Sequence, residues 1–260
     1  MKYKLLVEYD GSRYSGWQIQ QNNPTIQGKI AEAVIANLGR VRFDLQGAGR
    51  TDRGVHALGQ VAHLDIPSSI DPSVLQFKLN DNLPKDINVL QVSKVSENFH
   101  ARKDATARSY IYQISRRRSA FGKNYAWWVK DQLSFDRMAE VCNGLRGVHD
   151  FSSFSEKDET GINPKLNLEV ARVEENGALL LLHFRSRYFL WKMVRRMTGV
   201  IVEAGRGKLS VSEALSFLEK RSGKPAELTA PPAGLFLEKV YYDKVEEEGG
   251  VKPALLTAME

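Results

Sequence analysis

Within the first hundred residues, hydrophobic periodicity changes in the order strand, helix, strand, strand, helix, strand. Few architectures accept that order. It is the split β-α-β arrangement of ferredoxin-like and RNA-recognition folds. Residues 2–10 alternate as a strand, and a loop with two glycines and two aromatics follows at 10–18. Pro24 and Thr25 open a helix on which Ile26, Ile30, Ala33, Val34 and Leu38 recur at helical spacing, and Gly39 closes it. Residues 43–45 and 60–66 read as strands around a loop at 47–57. A helix at 72–80 and an alternating strand at 87–95 complete the unit.

A second run of similar architecture starts near Ala105. Residues 108–115 read as a strand, and Ser134 caps a helix carrying Phe135, Met138, Ala139 and Cys142. Residues 168–174 and 178–185 form a hairpin turning at Glu175-Asn176-Gly177. Leu190, Met193, Val194, Met197 and Ile201 make the apolar stripe of a longer helix, on which 192, 195 and 196 share a face. Residues 210–220 form another helix, with Ser210 and Glu213 as a capping box, and 235–242 a last strand. The expected fold is α+β: two RNA-recognition or ferredoxin-like α/β halves with mainly antiparallel sheets. The division falls at 1–104, 105–245 and a tail, 246–260, with no clear tertiary role. Residues 116–130 read as an irregular insertion.

Composition narrows the function. Lys plus Arg outnumber Asp plus Glu by 37 to 31, a formal charge of +6, which suits a polyanionic partner. The apolar run at 178–182 is strand-sized, and the first ten residues are too charged for a secretory segment. No membrane association and a cytoplasmic location are expected. The one cysteine, Cys142, forms neither an internal disulfide nor a multi-cysteine metal site and reads as core.

The densest polar constellation is Gly47-Ala48-Gly49-Arg50-Thr51-Asp52-Arg53-Gly54-Val55-His56-Ala57. Its glycines let the backbone turn sharply and approach a ligand. Arg50 and Arg53 flank Asp52, and a neighbouring guanidinium holds a carboxylate ionised even when partly desolvated, which makes it a usable nucleophile. No Gly-Lys-Ser/Thr follows the glycines, so the loop is not a phosphate loop, and its third glycine is misplaced for a dinucleotide fingerprint. His56 and His63 lack a familiar ligand spacing, and a glycosidase needs a second carboxylate. From composition alone, a salt-bridged turn with no catalytic role is the favoured reading.

At this loop the chain resembles the TruA family of tRNA pseudouridine synthases, whose signature is G-x-G-R-T-D-x-G-V-H. The likeness continues in order through YDGSRYSGWQIQ, PTIQGKIAEAV, LNDNLPKDINV, FHARKDATARSYIYQI, HDFSSF, FLWKMVRRMTGVIVEAGRGKL and APPAGLFL. It implies a pseudouridine synthase core with no cofactor and no metal, acting on tRNA as a homodimer at uridines near the base of the anticodon stem. By position it implies Asp52 as nucleophile and Arg50 as the arginine that holds the target nucleotide out. Tyr110 becomes the tyrosine stacked on the target base, and a candidate for the proton step at carbon five. Arg195 becomes the arginine that pairs with the nucleophile, and Leu235 lines the base pocket. His56, Phe189 and Met193 are further substrate-pocket expectations, and Arg13, Arg53, Lys192 and Arg196 are expected on the RNA backbone.

Two points stay open in the sequence. Tyr110 and Tyr112 have the same parity on their strand, so periodicity alone does not choose between them; the resemblance chooses Tyr110. Asp52 either adds at C1′ of the ribose or takes the 2′ proton to give a glycal. One stretch departs from the family: where it carries Thr-x-Arg-x-Ile, this chain reads Asn163-Pro164-Lys165-Leu166-Asn167-Leu168.

Overall fold

The computed structural model describes residues 1–156, 163–243 and 249–254. Contacts divide the chain into two compact units. One is Met1–Thr106 with Phe236–Lys244; the other is Ala107–Leu235 with Val245–Glu260. The first is therefore closed by a strand from the far end of the sequence, whereas the expected division at 104/105 is contiguous.

In the first unit, β1 (Lys2–Tyr9) lies antiparallel to both β3 (His56–Asp65) and β4 (Ile87–Val95). The other edge of β3 is shared. β2 (Asp44–Gly47) pairs antiparallel with its Ala62–Asp65 end, and β10 (Leu235–Tyr241) pairs parallel with His56 and Ala57. Along β1 the buried residues alternate as Tyr3, Leu5, Val7 and Tyr9. Two helices supply the matching apolar face: Ile26, Ile30, Ala33 and Val34 of α1 (Ile26–Leu38), and Leu75 and Leu79 of α2 (Pro72–Asn82). Each such side chain contributes about 1.5–3 kcal/mol on burial. Thr25 Oγ1 accepts the Gly28 N–H at the head of α1, and Asp71 caps α2 ahead of Pro72. β3 starts four residues earlier than its apolar pattern suggests, because Ala57 pairs with Tyr9 on one side and Leu237 on the other.

The second unit is an antiparallel sheet in the order β5 (Ala107–Ser115), β9 (Leu179–Ser186), β8 (Lys165–Asn176), β7 (Gly147–Asp150), with β6 (Trp127–Trp128) parallel to β5. Every residue of β5 is buried. The helices are α3 (Phe135–Leu145), α4 (Met193–Gly205), α5 (Val211–Glu219) and the short α6 (Lys224–Glu227). The capping box of Ser210 and Glu213 is formed as the sequence indicates. Cys142 is buried in α3, and burial pushes its thiol up to about 12.

Three sequence expectations change here. The stretch at 116–130 contains β6, whose Trp127 pairs with Ile114. α4 begins at Met193, because Lys192 adopts a left-handed backbone, φ 61, so Lys192 stands ahead of the helix instead of on a shared face with Arg195 and Arg196. The tail is not wholly without a tertiary role. Val251 is buried with Ile111, Ala126, Leu179 and Leu181. The Val251 N–H donates to Glu174 (2.9 Å), and the Ala254 N–H to Gln113 Oε1 (2.8 Å). Burial of one valine and these bonds fix 249–254. The rest of the tail lies outside the described residues.

Candidate active site

Asp52 sits on the connection between β2 and β3, and that connection is tied down along its length. The Ala48 N–H donates to Val61 O (2.7 Å), Gln60 Nε2 to Gly49 O (2.9 Å) and the Trp17 N–H to Thr51 O (3.1 Å). The Tyr9 hydroxyl and Thr51 Oγ1 are 2.8 Å apart in a buried contact. Asp52 then opens a tight turn: the Val55 N–H donates to Asp52 O (3.1 Å), and Gly54 at the third position has φ 78, the conformation a type II turn demands there. The Gly54 N–H reaches Tyr14 O at 3.3 Å. Asp52 is half-buried between the exposed Arg50 and Arg53.

The backing for this loop comes from residues 9–17. Gly16 has φ +93, and a Cβ built there would stand 2.4 Å from Thr51 O and 3.1 Å from the Asp52 carbonyl carbon. Only glycine allows that approach. The Tyr14 hydroxyl donates to Asp86 Oδ1 (2.6 Å); burial, reinforced by the Asp86 carboxylate, raises its pKa, so it stays protonated. Arg13 is exposed on a 3-10 turn capped by Asp10. His56 is 1% exposed, accepts the Gly11 N–H at Nδ1 (3.1 Å) and stacks on Phe236 at 4.7 Å. That burial makes it an internal brace of the loop. Tyr9, Tyr14, Trp17, Thr51 and Gln60 were not expected as site residues. Tyr9, Tyr14 and Trp17 are signalled only by the motif YDGSRYSGWQIQ, which carries no visible chemistry of its own; Thr51 lies within the aspartate signature, and Gln60 lies in no motif.

The remaining candidates belong to the second unit. Tyr110 and Tyr112 share a face of β5 but differ in their surroundings. Tyr112 is fully buried and donates its hydroxyl to Pro231 O at 2.7 Å; burial raises its pKa, so it too remains protonated. Tyr110 meets Phe189 edge-on, with ring centroids 5.0 Å apart and planes at 82°. Arg195, in the first turn of α4, is gripped twice by one residue: its Nε donates to Ala230 O (2.8 Å) and its carbonyl accepts the Ala230 N–H (3.0 Å). Tyr112, Pro231, Ala230 and Arg195 thus form one supporting chain. Leu235 is buried at the head of β10, and Met193 is buried at the start of α4.

Lys192 and Arg196 converge on Glu156. Lys192 Nζ is 2.5 Å and Arg196 Nη2 3.7 Å from Glu156 Oε2. Arg196 is 7% exposed, which sets it apart from the surface cations Arg13, Arg50 and Arg53. At the departure from the family pattern, the Tyr188 hydroxyl reaches Asn163 O (3.1 Å), and the Phe151 N–H reaches Pro164 O (3.0 Å). Among the described residues no three His, Cys, Asp or Glu side chains group as metal ligands, and no helix is long and apolar enough to cross a membrane.

Comparison with known proteins finds relatives along most of the chain. The profile of a family described as tRNA pseudouridine synthase matches residues 5–104 and 141–243. A protein of Rhodopseudomonas palustris named tRNA pseudouridine synthase A is 41% identical over 245 residues, covering 93% of this chain and 99% of that one. Proteins of the same name from Exiguobacterium and Paramagnetospirillum magneticum are 38% and 40% identical. They cover 94% and 93% of this chain, and 99% and 95% of their own lengths.

Proposed function

The chain belongs to the tRNA pseudouridine synthase family, and from that premise we propose that it isomerises uridine in the anticodon stem-loop of tRNA with Asp52 as nucleophile. It is an isomerase acting on tRNA. The observation that carries the finer reading is the fixing of Asp52: a half-buried carboxylate on a turn pinned by Tyr14, Trp17 and Gln60, within the matched span. A nucleophile held in place before substrate arrives loses little of its reactivity to reorganisation.

The reaction breaks the bond from ribose C1′ to uracil N1 and forms one from C1′ to C5; the hydrogen at C5 leaves to solvent, and N1 takes up a proton. No electrons are gained or lost. Asp52 either adds at C1′ and is later released from the ester, or removes the 2′ proton and returns it when C5 re-attaches; both routes use its carboxylate. A paired uridine must first be everted, at a cost of a few kcal/mol. Arg50, exposed two residues before Asp52, offsets part of that cost by entering the vacated space. Tyr110, braced edge-on by Phe189, provides a face for the base, and Arg195 a balancing positive charge. Leu235 contributes apolar lining. The exposed Arg13 and Arg53 meet phosphates, which makes binding salt-dependent. The enzyme works as a homodimer in the cytoplasm.

The test is tritium release from tRNA labelled at carbon five of uridine, followed by mapping of the modified positions. Wild type should release label, and Asp52→Ala should bind tRNA yet release none. Full turnover by Asp52→Ala refutes the assignment; modification confined to other arms of the tRNA refutes the anticodon target.

A further inference from the structure

Beside the aspartate loop, the first unit holds a recess whose lining, apart from Arg50, has no part in the reaction proposed above. Trp17, Gln18, Gly47, Gly49, Arg50 and Arg102 are among the residues lining a cavity of about 210 Å³. That is below the ~300 Å³ at which pockets begin to enclose a whole small ligand, so it suits one piece of a larger molecule. Its charged groups are two guanidiniums, and none of the residues that line it is acidic.

The two glycines at its wall differ. At Gly47 a Cβ would come within 2.5 Å of the Trp17 ring, so packing explains the residue. At Gly49 a Cβ would meet nothing within 4 Å, and its φ is not positive. Nothing in the fold asks for glycine there; its bare Cα leaves room for something that approaches the backbone closely. The wall is also fixed. Fully buried Gln60 holds the Gly49 carbonyl at 2.9 Å. On the Arg102 side, the Ala101 N–H donates to His63 Nδ1 (3.2 Å), the Tyr242 hydroxyl to Ala101 O (2.7 Å) and the Arg102 N–H to His100 Nδ1 (3.2 Å).

We propose that this cavity is a subsite for the ribose–phosphate backbone beside the isomerised uridine, with Gly49 the point of closest approach and Arg102 a phosphate ligand. Two cations suit a phosphodiester, the volume suits a single backbone unit, and Arg50 joins the cavity to Asp52 two residues away. The proposal rests on the reading that Asp52 acts on tRNA.

The test uses the full-length protein as wild type, Gly49→Ala, Arg102→Gln, Arg102→Lys and Asp52→Asn. It reads melting temperature, KM and kcat by tritium release, and tRNA affinity between about 50 and 200 mM salt. Gly49→Ala should melt as wild type and raise KM about tenfold, the effect of a methyl group in a space the protein itself leaves open. Arg102→Gln should lower the slope of log affinity against log salt by about one, and Arg102→Lys should restore it. Wild-type KM in Gly49→Ala, or an unchanged salt slope in Arg102→Gln, overturns the proposal. Asp52→Asn separates the two readings: if it binds tRNA as wild type without turnover, the catalytic assignment stands whatever Gly49 shows. If wild type itself releases no label, that assignment fails, and the affinity and salt slopes still decide the subsite.

Discussion

Replacing Gly16 by alanine should disable the enzyme from a residue with no part in the chemistry. The substitution has two costs. The backbone at φ +93 is disfavoured for an L side chain by about 1–2 kcal/mol. The new Cβ would also stand 2.4 Å from Thr51 O, where contacts under 3.0 Å are essentially never tolerated. The opposing atoms are main chain, so Thr51 and Asp52 must retreat by about 0.6 Å or more. Misplacement of a reacting group by about 1 Å costs on the order of 100-fold, so kcat/KM should fall roughly 10- to 100-fold. Tritium release gives the rate, and melting curves with tRNA binding show whether the protein is still folded. Gly39→Ala is the control: Gly39 also has a positive φ, 72, but its Cβ would meet nothing within 4 Å. It should lose comparable stability and keep its activity. If Gly16→Ala keeps kcat/KM within about twofold while folded, or if both variants lose activity equally, the loop is not positioned by this contact.

Tyr112→Phe should lower stability by about 0.5–1.5 kcal/mol, because the half-buried Pro231 carbonyl loses its donor. Thermal unfolding would read this as a fall of several degrees, and an unchanged midpoint would show that the hydroxyl is not a brace. Glu156 gives an acid-side prediction. The hydrogen bond from Lys192 holds its carboxyl below the usual 4.5, against the opposing effect of burial. A carboxylate depressed in the folded state stabilises above its unfolded value and ceases to do so as pH falls through the folded one. Glu156→Gln should therefore unfold at lower urea than wild type at pH 7, and the two should converge as pH falls below the depressed folded value; a gap that persists in acid would contradict the pairing.

Much of this is written locally. Thr25, Ser134 and Ser210 announce their helices because a side-chain oxygen must satisfy an N–H within three residues. The aspartate loop stands out because glycine and arginine crowd one turn. What stayed hidden depends on distant partners. β6 and β7 are two and four residues long, too short for a period, and exist because β5 and β8 offer them an edge. Lys192 takes a left-handed backbone that its residue type disfavours, held by a carboxylate 36 positions earlier. Parity could not separate Tyr110 from Tyr112, and the bond that braces Tyr112 comes from a carbonyl more than a hundred residues away. The family signature puts His56 in the substrate pocket, and the Gly11 amide, the Asp10 carboxylate and the Phe236 ring, none of them legible from the signature, hold it inside.

The return of β10 to the first unit has a consequence for biosynthesis. On the ribosome, β1 to β4 emerge first, but the His56 end of β3 has no neighbour on that side until about 130 further residues are made. At roughly 5–20 residues per second, that end stays open for about ten seconds, next to the segment that carries Asp52. An open strand edge invites pairing with another nascent chain. Slow codons or a stalled polymerisation between the two units should therefore favour aggregation, and the competent loop should be among the last parts of the protein to mature.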